Sequence, residues 1–120
     1  MKIKITFHNM QHSKAMEQHA LAKLKKVEEL LKGEEWETPK YLELWLKANP
    51  QHPHHATELI LKTPQFNLNA HDENTDMYVA IDTTVDKMFT QLSKEKKKLQ
   101  DKKQKVETPK NEFNDDKYNL

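Results

Sequence analysis

The chain has no cysteine, no arginine, one glycine (Gly33) and no long hydrophobic run. Each absence excludes something. Without cysteine there are no disulfides and no thiolate chemistry, and the count leaves the redox compartment undetermined. Without arginine all 20 basic residues are lysine. Lysine is a flexible point charge suited to phosphate oxygens, whereas the planar fork that reads guanine edges bidentately is missing. Any nucleic acid held by such a chain is held by backbone and shape rather than read by base sequence. A low-GC coding bias that trades arginine for lysine everywhere explains the same count equally well, and the two readings are compatible. Without a long apolar run there is no transmembrane span, and the start Met1-Lys2-Ile3-Lys4-Ile5 alternates charge with apolar residues instead of forming a secretory leader. The expectation is a soluble cytoplasmic protein with no membrane partner.

What is present fits one domain, because 120 residues bury only a modest core. The formal net charge of +1 hides a gradient. Residues 1–105 carry 18 lysines against 15 acids, a net of +3, and residues 106–120 carry 2 against 4, a net of −2. This divides the chain into a basic body, 1–106, and an acidic, flexible tail, 107–120, with Pro109 and no periodicity.

Residues 2–7 place Ile3, Ile5 and Phe7 on one face of a strand. Ser13 caps a helix over 13–32 whose stripe is Met16, Ala20, Leu24, Val27 and Leu31, and Gly33 stands where a C-cap wants a left-handed residue. Residues 34–40 form an acidic connector. Leu42, Leu44, Leu46 and Ala48 alternate on a second strand, Thr57, Leu59 and Leu61 on a third, and Phe66, Leu68 and Ala70 on a fourth, with proline-bearing turns between. A last helix over 76–105 carries Met77, Ile81, Val85, Met88 and Leu92. The order β-α-β-β-β-α predicts an α+β two-layer sandwich: a four-stranded mixed sheet with both helices on one face. A helix crossing over between strands one and two makes that pair parallel, and the remainder is an antiparallel meander. The order is similar to a double-stranded-RNA-binding domain with an added first strand.

The final helix changes character along its length. Between Lys94 and Lys105 it holds seven lysines against Glu95 and Asp101, with only Leu99 to bury. The bland reading is a solvated helix end whose cations suit the dipole; the functional one is a phosphate-binding surface. His52, His54 and His55 with His71 invite a metal reading. Structural zinc sites want four converging ligands, usually with thiolates, so a solvated loop is the better account and no metal or cofactor is expected. Asp72, Glu73, Asp76, Asp82 and Asp86 read as acids near a helix N-terminus rather than a catalytic pair, since no activating partner or glycine-rich pocket accompanies them. No enzyme activity and no small-molecule substrate are expected. Tyr41 and Trp45 point to the sheet face without helices, where cross-strand packing, base stacking or protein docking would use them.

Asp76-Met77-Tyr78, Ala80-Ile81-Asp82, Asp86-Lys87, Gln91-Leu92 and Lys94, with Ala22-Lys23 and Lys26 on the first helix, stand at a spacing that resembles the bacterial ribosome hibernation-promoting factor and ribosome-associated inhibitor family, also described as sigma-factor modulation proteins. The resemblance covers about residues 1–106. It implies a factor of stress and stationary phase that regulates translation, binding ribosomal RNA of the small ribosomal subunit in the decoding channel and blocking messenger RNA and A- and P-site transfer RNA. It also implies a monomer away from the ribosome. Matching family basic positions are Lys23, Lys26, Lys87, Lys94, Lys96 and Lys98; charge alone adds Lys25, Lys97, Lys102 and Lys103. The chain departs from the pattern at Glu17 and Thr90, where members commonly carry arginine. Long members append a second domain, and this chain is expected to be a short form. The competing readings are a protein-interaction module that modulates a transcription factor, and a generic double-stranded RNA binder.

Overall fold

In the computed structural model the described residues are 2–32, 40–49, 51 and 53–107, with side chains up to residue 101. They form β1 (Lys2–His8), α1 (Lys14–Leu31), β2 (Tyr41–Lys47), β3 (His55–Lys62), β4 (Asn67–Asn74) and α2 (Met77–Glu107). The strands lie in the order β1-β2-β3-β4, with β1 parallel to β2 and the other pairs antiparallel. This is the β-α-β-β-β-α sandwich that the hydropathy pattern predicts.

Alternation decides which side of the sheet is covered. Leu42, Leu44 and Leu46 of β2 and Leu59 and Leu61 of β3 are fully buried, and they meet Ala20, Leu24, Val27 and Leu31 of α1 and Met77, Ile81, Val85, Met88 and Leu92 of α2. A buried leucine contributes on the order of 2 kcal/mol by leaving water, so these two stripes hold the layers together. One polar contact sits inside the apolar layer. Thr57 on β3 donates its hydroxyl to the Ala80 carbonyl at 3.0 Å and shares a further bond with Thr84, both buried. Each hydroxyl is satisfied, so burial costs little.

The helix starts are capped as their sequences require. Ser13 Oγ accepts from the Met16 amide at 3.2 Å. Asp76 Oδ1 accepts from the Tyr78 amide at 2.9 Å, while its carbonyl takes the Ala80 amide at 3.0 Å. Lys32 closes α1 with an extended backbone, its amide reaching the Glu29 carbonyl at 3.2 Å. The cap expected at Gly33, the 34–40 connector up to Pro39 and the tail after Glu107 lie outside the described residues. Asn9 turns the chain between β1 and α1 with φ of 60°, a left-handed conformation that asparagine tolerates.

One element differs from expectation. β4 runs to Asn74 rather than ending at Ala70, and Asp72, Glu73 and Asn74 pair with Thr57, Ala56 and His55. Asp72 and Glu73 are therefore strand residues, not acids of the helix N-terminus. The polar run His71-Asp72-Glu73-Asn74 has no apolar alternation to announce a strand, yet β3 supplies a complete backbone ladder beside it.

α2 returns along β4. Lys87 Nζ donates to the His71 carbonyl at 2.9 Å and Gln91 Nε2 to the Asn69 carbonyl at 3.0 Å. One further turn reaches the level of Asn67, and from there Leu99 still packs against the core and Lys96 meets the Leu30 carbonyl of α1. The lysine-rich half of α2 begins there.

Candidate nucleic-acid interface

The lysines of the helical layer do not share one surface. Lys23 and Lys26 come together in the seam between the helices, where both approach Asp86 of α2; the Lys23 ammonium stands 3.8 Å from its carboxylate and Lys26 is hydrogen-bonded to it. The Lys26 bond, aided by the nearby Lys23 charge, holds the Asp86 carboxyl below the usual carboxylate range. Lys26 also lies 5.2 Å over the Phe89 ring. Further along the seam His19 Nε2 meets Asp82 Oδ1 at 2.6 Å, with its ring edge-on to Tyr78 at 5.0 Å. At the other end Lys96 donates to the Leu30 carbonyl in the last turn of α1. Cations near a helix C-terminus are favoured by its dipole.

On the opposite flank of α2, Lys87, Lys94 and Lys98 follow one another at seven and four residues and so share a stripe. Lys87 is paired with Asp72 at 3.2 Å and Lys98 with Glu95 at 3.4 Å. Lys94 and Lys97 are exposed and form no hydrogen bond or ion pair among the described residues. Lys25 is likewise exposed, on the flank of α1 away from the seam. Lys102 and Lys103 lie on α2, and their side chains are outside the description. Of the two positions departing from the family pattern, Glu17 pairs with His12 at 3.2 Å in the first turn of α1. Thr90 lines a shallow depression of about 390 Å³ on α2 with Thr83, Asp86, Lys87 and Gln91.

The open face of the sheet carries charge that the helix-centred reading passed over. Its outward rows are Lys2, Tyr41, Lys62 and Asn67; Lys4, Glu43, Ile60 and Asn69; Thr6, Trp45, Glu58 and His71. The centre of this face is internally satisfied. Glu58 accepts from the Asn69 amide at 2.7 Å and from Lys47 at 3.1 Å, and both bonds hold its carboxyl below the usual range. Lys47 also lies 5.9 Å over the Trp45 ring, and the Thr6 hydroxyl, in register with Trp45, is buried with no hydrogen-bond partner among the described residues. The end of the face is different: Lys2, Lys4 and Lys62 have no side-chain partner among the described residues. The alternation of Lys2 and Lys4 with Ile3 and Ile5 was the signal for it. Near the other end, at the loop that invited a metal reading, His55 Nδ1 accepts from the Asn49 amide at 3.4 Å. No three His, Asp or Glu side chains converge among the described residues.

A sequence profile described as sigma 54 modulation protein / S30EA ribosomal protein matches residues 3–100. Among solved structures the fold is similar to a ribosomal subunit interface protein from Coxiella burnetii, with 26% identity over 80% of this chain and 98% of that one and a TM-score of 0.65. It is also similar in fold to the Protein Y N-terminal domain of Thermus thermophilus, with 22% identity over 78% and 98% and a TM-score of 0.62. Among curated proteins, none matches this chain in sequence.

Proposed function

The chain belongs to the sigma 54 modulation protein / S30EA ribosomal protein family, and from that membership we propose that it is a translation-silencing factor that binds the small ribosomal subunit. In this reading it sits as a monomer in the decoding channel and excludes messenger RNA and the A- and P-site transfer RNAs by occupation, in the cytoplasm and without catalysis. The observation that carries it is the lysine-rich half of α2, where Lys94 and Lys97 are exposed and without partners among the described residues. Ribosomal RNA offers a dense phosphate array to such a helix.

The paired lysines contribute as well. Asp86 is at the surface, where an ion pair is worth about 0–1 kcal/mol, so a phosphate displaces it from Lys23 and Lys26 at small cost. Lysine in place of arginine gives contacts that follow charge and shape. Binding should therefore weaken steeply with salt, since each neutralised phosphate steepens the slope.

Co-sedimentation with small subunits at rising salt tests the proposal. Replacing Lys87, Lys94 and Lys98 by glutamate is expected to abolish co-sedimentation at a salt concentration where the unaltered protein still binds. Undiminished binding by the triple variant would overturn the helix surface. A partner retained after nuclease digestion, with no subunit binding, would favour the protein-interaction reading instead.

A further inference from the structure

At the end of the sheet's open face, Lys2 on β1 and Lys62 on β3 flank Tyr41 on β2 in direct register. The three side chains, with Lys40, Thr63 and Pro64, line a shallow depression of about 500 Å³. Lys4 stands on the same face one outward position further along β1. The two aromatic rings of this face differ in their commitments. Trp45 already has the Lys47 ammonium over it, while Tyr41 has no ring or cation contact among the described residues, and Glu43 beside it holds its hydroxyl above the ordinary tyrosine range. A half-exposed ring with partnerless ammonium groups on both neighbouring strands is the arrangement that holds a nucleotide: the base stacks on the ring and the phosphates meet the lysines.

We infer that this depression is a second nucleic-acid site, on the face opposite the helices, which takes an unpaired segment of RNA with a base on Tyr41 and its phosphates on Lys2, Lys62 and Lys4. Single-stranded RNA is favoured over a duplex because a base must leave its stack to lie on the ring, and a duplex keeps its bases inside. The charge favours RNA over an acidic protein segment less strongly than the ring does, since an acidic peptide gains nothing specific from stacking. The choice of RNA rests on the ribosomal reading above; the site itself does not. A protein bound by both faces would grip folded RNA with its helices and an adjacent loose strand with its sheet.

The test uses the full chain, without ribosomes, and a short labelled oligouridine read by fluorescence anisotropy. Tyr41→Leu is expected to weaken binding about five-fold or more, whereas Tyr41→Phe, which keeps the ring and loses the hydroxyl, should bind as the unaltered protein does. Lys2→Gln with Lys62→Gln should lower the slope of log affinity against log salt by about 1.4, two contacts at about 0.7 each for a single strand. The same sequence in duplex form should lose the dependence on Tyr41. Equal binding by the Tyr41→Leu variant, or a preference for the duplex at this site, would overturn the inference. So would a peptide of residues 106–120 that binds in a Tyr41-dependent manner while the oligonucleotide does not, because the depression would then belong to the chain's own acidic end. Subunit co-sedimentation of the unaltered protein separates the two proposals. Oligouridine binding that ignores Tyr41, alongside subunit binding by the unaltered protein, overturns only the sheet site; an unaltered protein that fails to bind subunits but shows Tyr41-dependent oligouridine binding overturns only the ribosomal reading.

Discussion

The two faces of the sheet are built on the same alternating strands and differ in where their lysines find partners: Lys25, Lys94 and Lys97 stand free on the helical side among the described residues, and Lys47 is paired with Glu58 on the open one. On the helical side Lys23, Lys26, Lys87, Lys96 and Lys98 each have a carboxylate or carbonyl partner. At one end of the open side Lys2, Lys4 and Lys62 have none among the described residues. The difference comes from layering. A second layer brings acids from elsewhere in the chain against the lysines of the first, whereas a bare face offers only neighbours on adjacent strands. A lysine count therefore overstates the charge presented by the seam between the helices and says nothing of the cluster at the end of the open face.

The sharpest way to break this contrast is along β2 itself, where inward and outward residues alternate. Leu44→Ala, at a fully buried position, is expected to cost about 2–5 kcal/mol in denaturant unfolding. Tyr41→Leu, outward on the same strand, should cost less than about 0.5 kcal/mol. Comparable losses at both positions would mean that the open face carries structural weight as well. Of intermediate size is the effect of Asp86→Asn, which releases Lys23 and Lys26. Affinity for polyphosphate or ribosomal RNA should rise several-fold while stability changes by no more than about 1 kcal/mol; isothermal titration beside thermal unfolding measures both. An unchanged affinity would show that the seam lysines do not take part in binding.

The smallest effect is on pH dependence. Asp86 and Glu58 both have carboxyl groups held below their ordinary values, Asp86 mainly by Lys26 and Glu58 mainly by Asn69 and then Lys47. A depressed folded-state value stabilises the fold above the unfolded value, near pH 4 for such acids, and the benefit is lost as pH falls through the lower folded value. Thermal unfolding should therefore show Asp86→Asn slightly less stable than the unaltered protein at neutral pH, and the gap should close on acidification through that range. Both groups are partly exposed, which keeps the effect small. A gap that widened in acid would contradict the ion pairing.

Element order, strand pairing and both helix stripes were legible from apolar spacing because the core side chains repeat at the periods their backbones impose. The extension of β4 was not, since His71 to Asn74 forms a strand through the ladder offered by β3 rather than through side-chain alternation. Thr84 falls inside the α2 stripe as a polar residue, and its burial makes sense only once Thr57 is seen opposite it. At the candidate site the residue types were legible and their availability was not. Nothing in the local sequence around Lys26 announces Asp86, which lies 60 residues away. The lysines at the start of β1 and the end of β3 lie equally far apart in the chain and meet only through Tyr41 between them.

The seam between α1 and α2 also bears on the order in which the chain assembles. Its links join residues 60, 63 and 66 positions apart, whereas the β2-β3-β4 meander and the first turns of α2 are contiguous. Long-range contacts form slowly because a large loop must close before they repay it. Sequence separation therefore predicts that the meander with α2 assembles first and that β1 with α1 docks on it last, an order that pulsed hydrogen exchange would overturn by finding β1 protected as early as β3. Lys2 reaches Tyr41, and Lys23 and Lys26 reach Asp86, only at that final step. The sheet-face site and the seam lysines are consequently properties of the finished molecule, whereas a chain caught before docking would already present the lysines of α2.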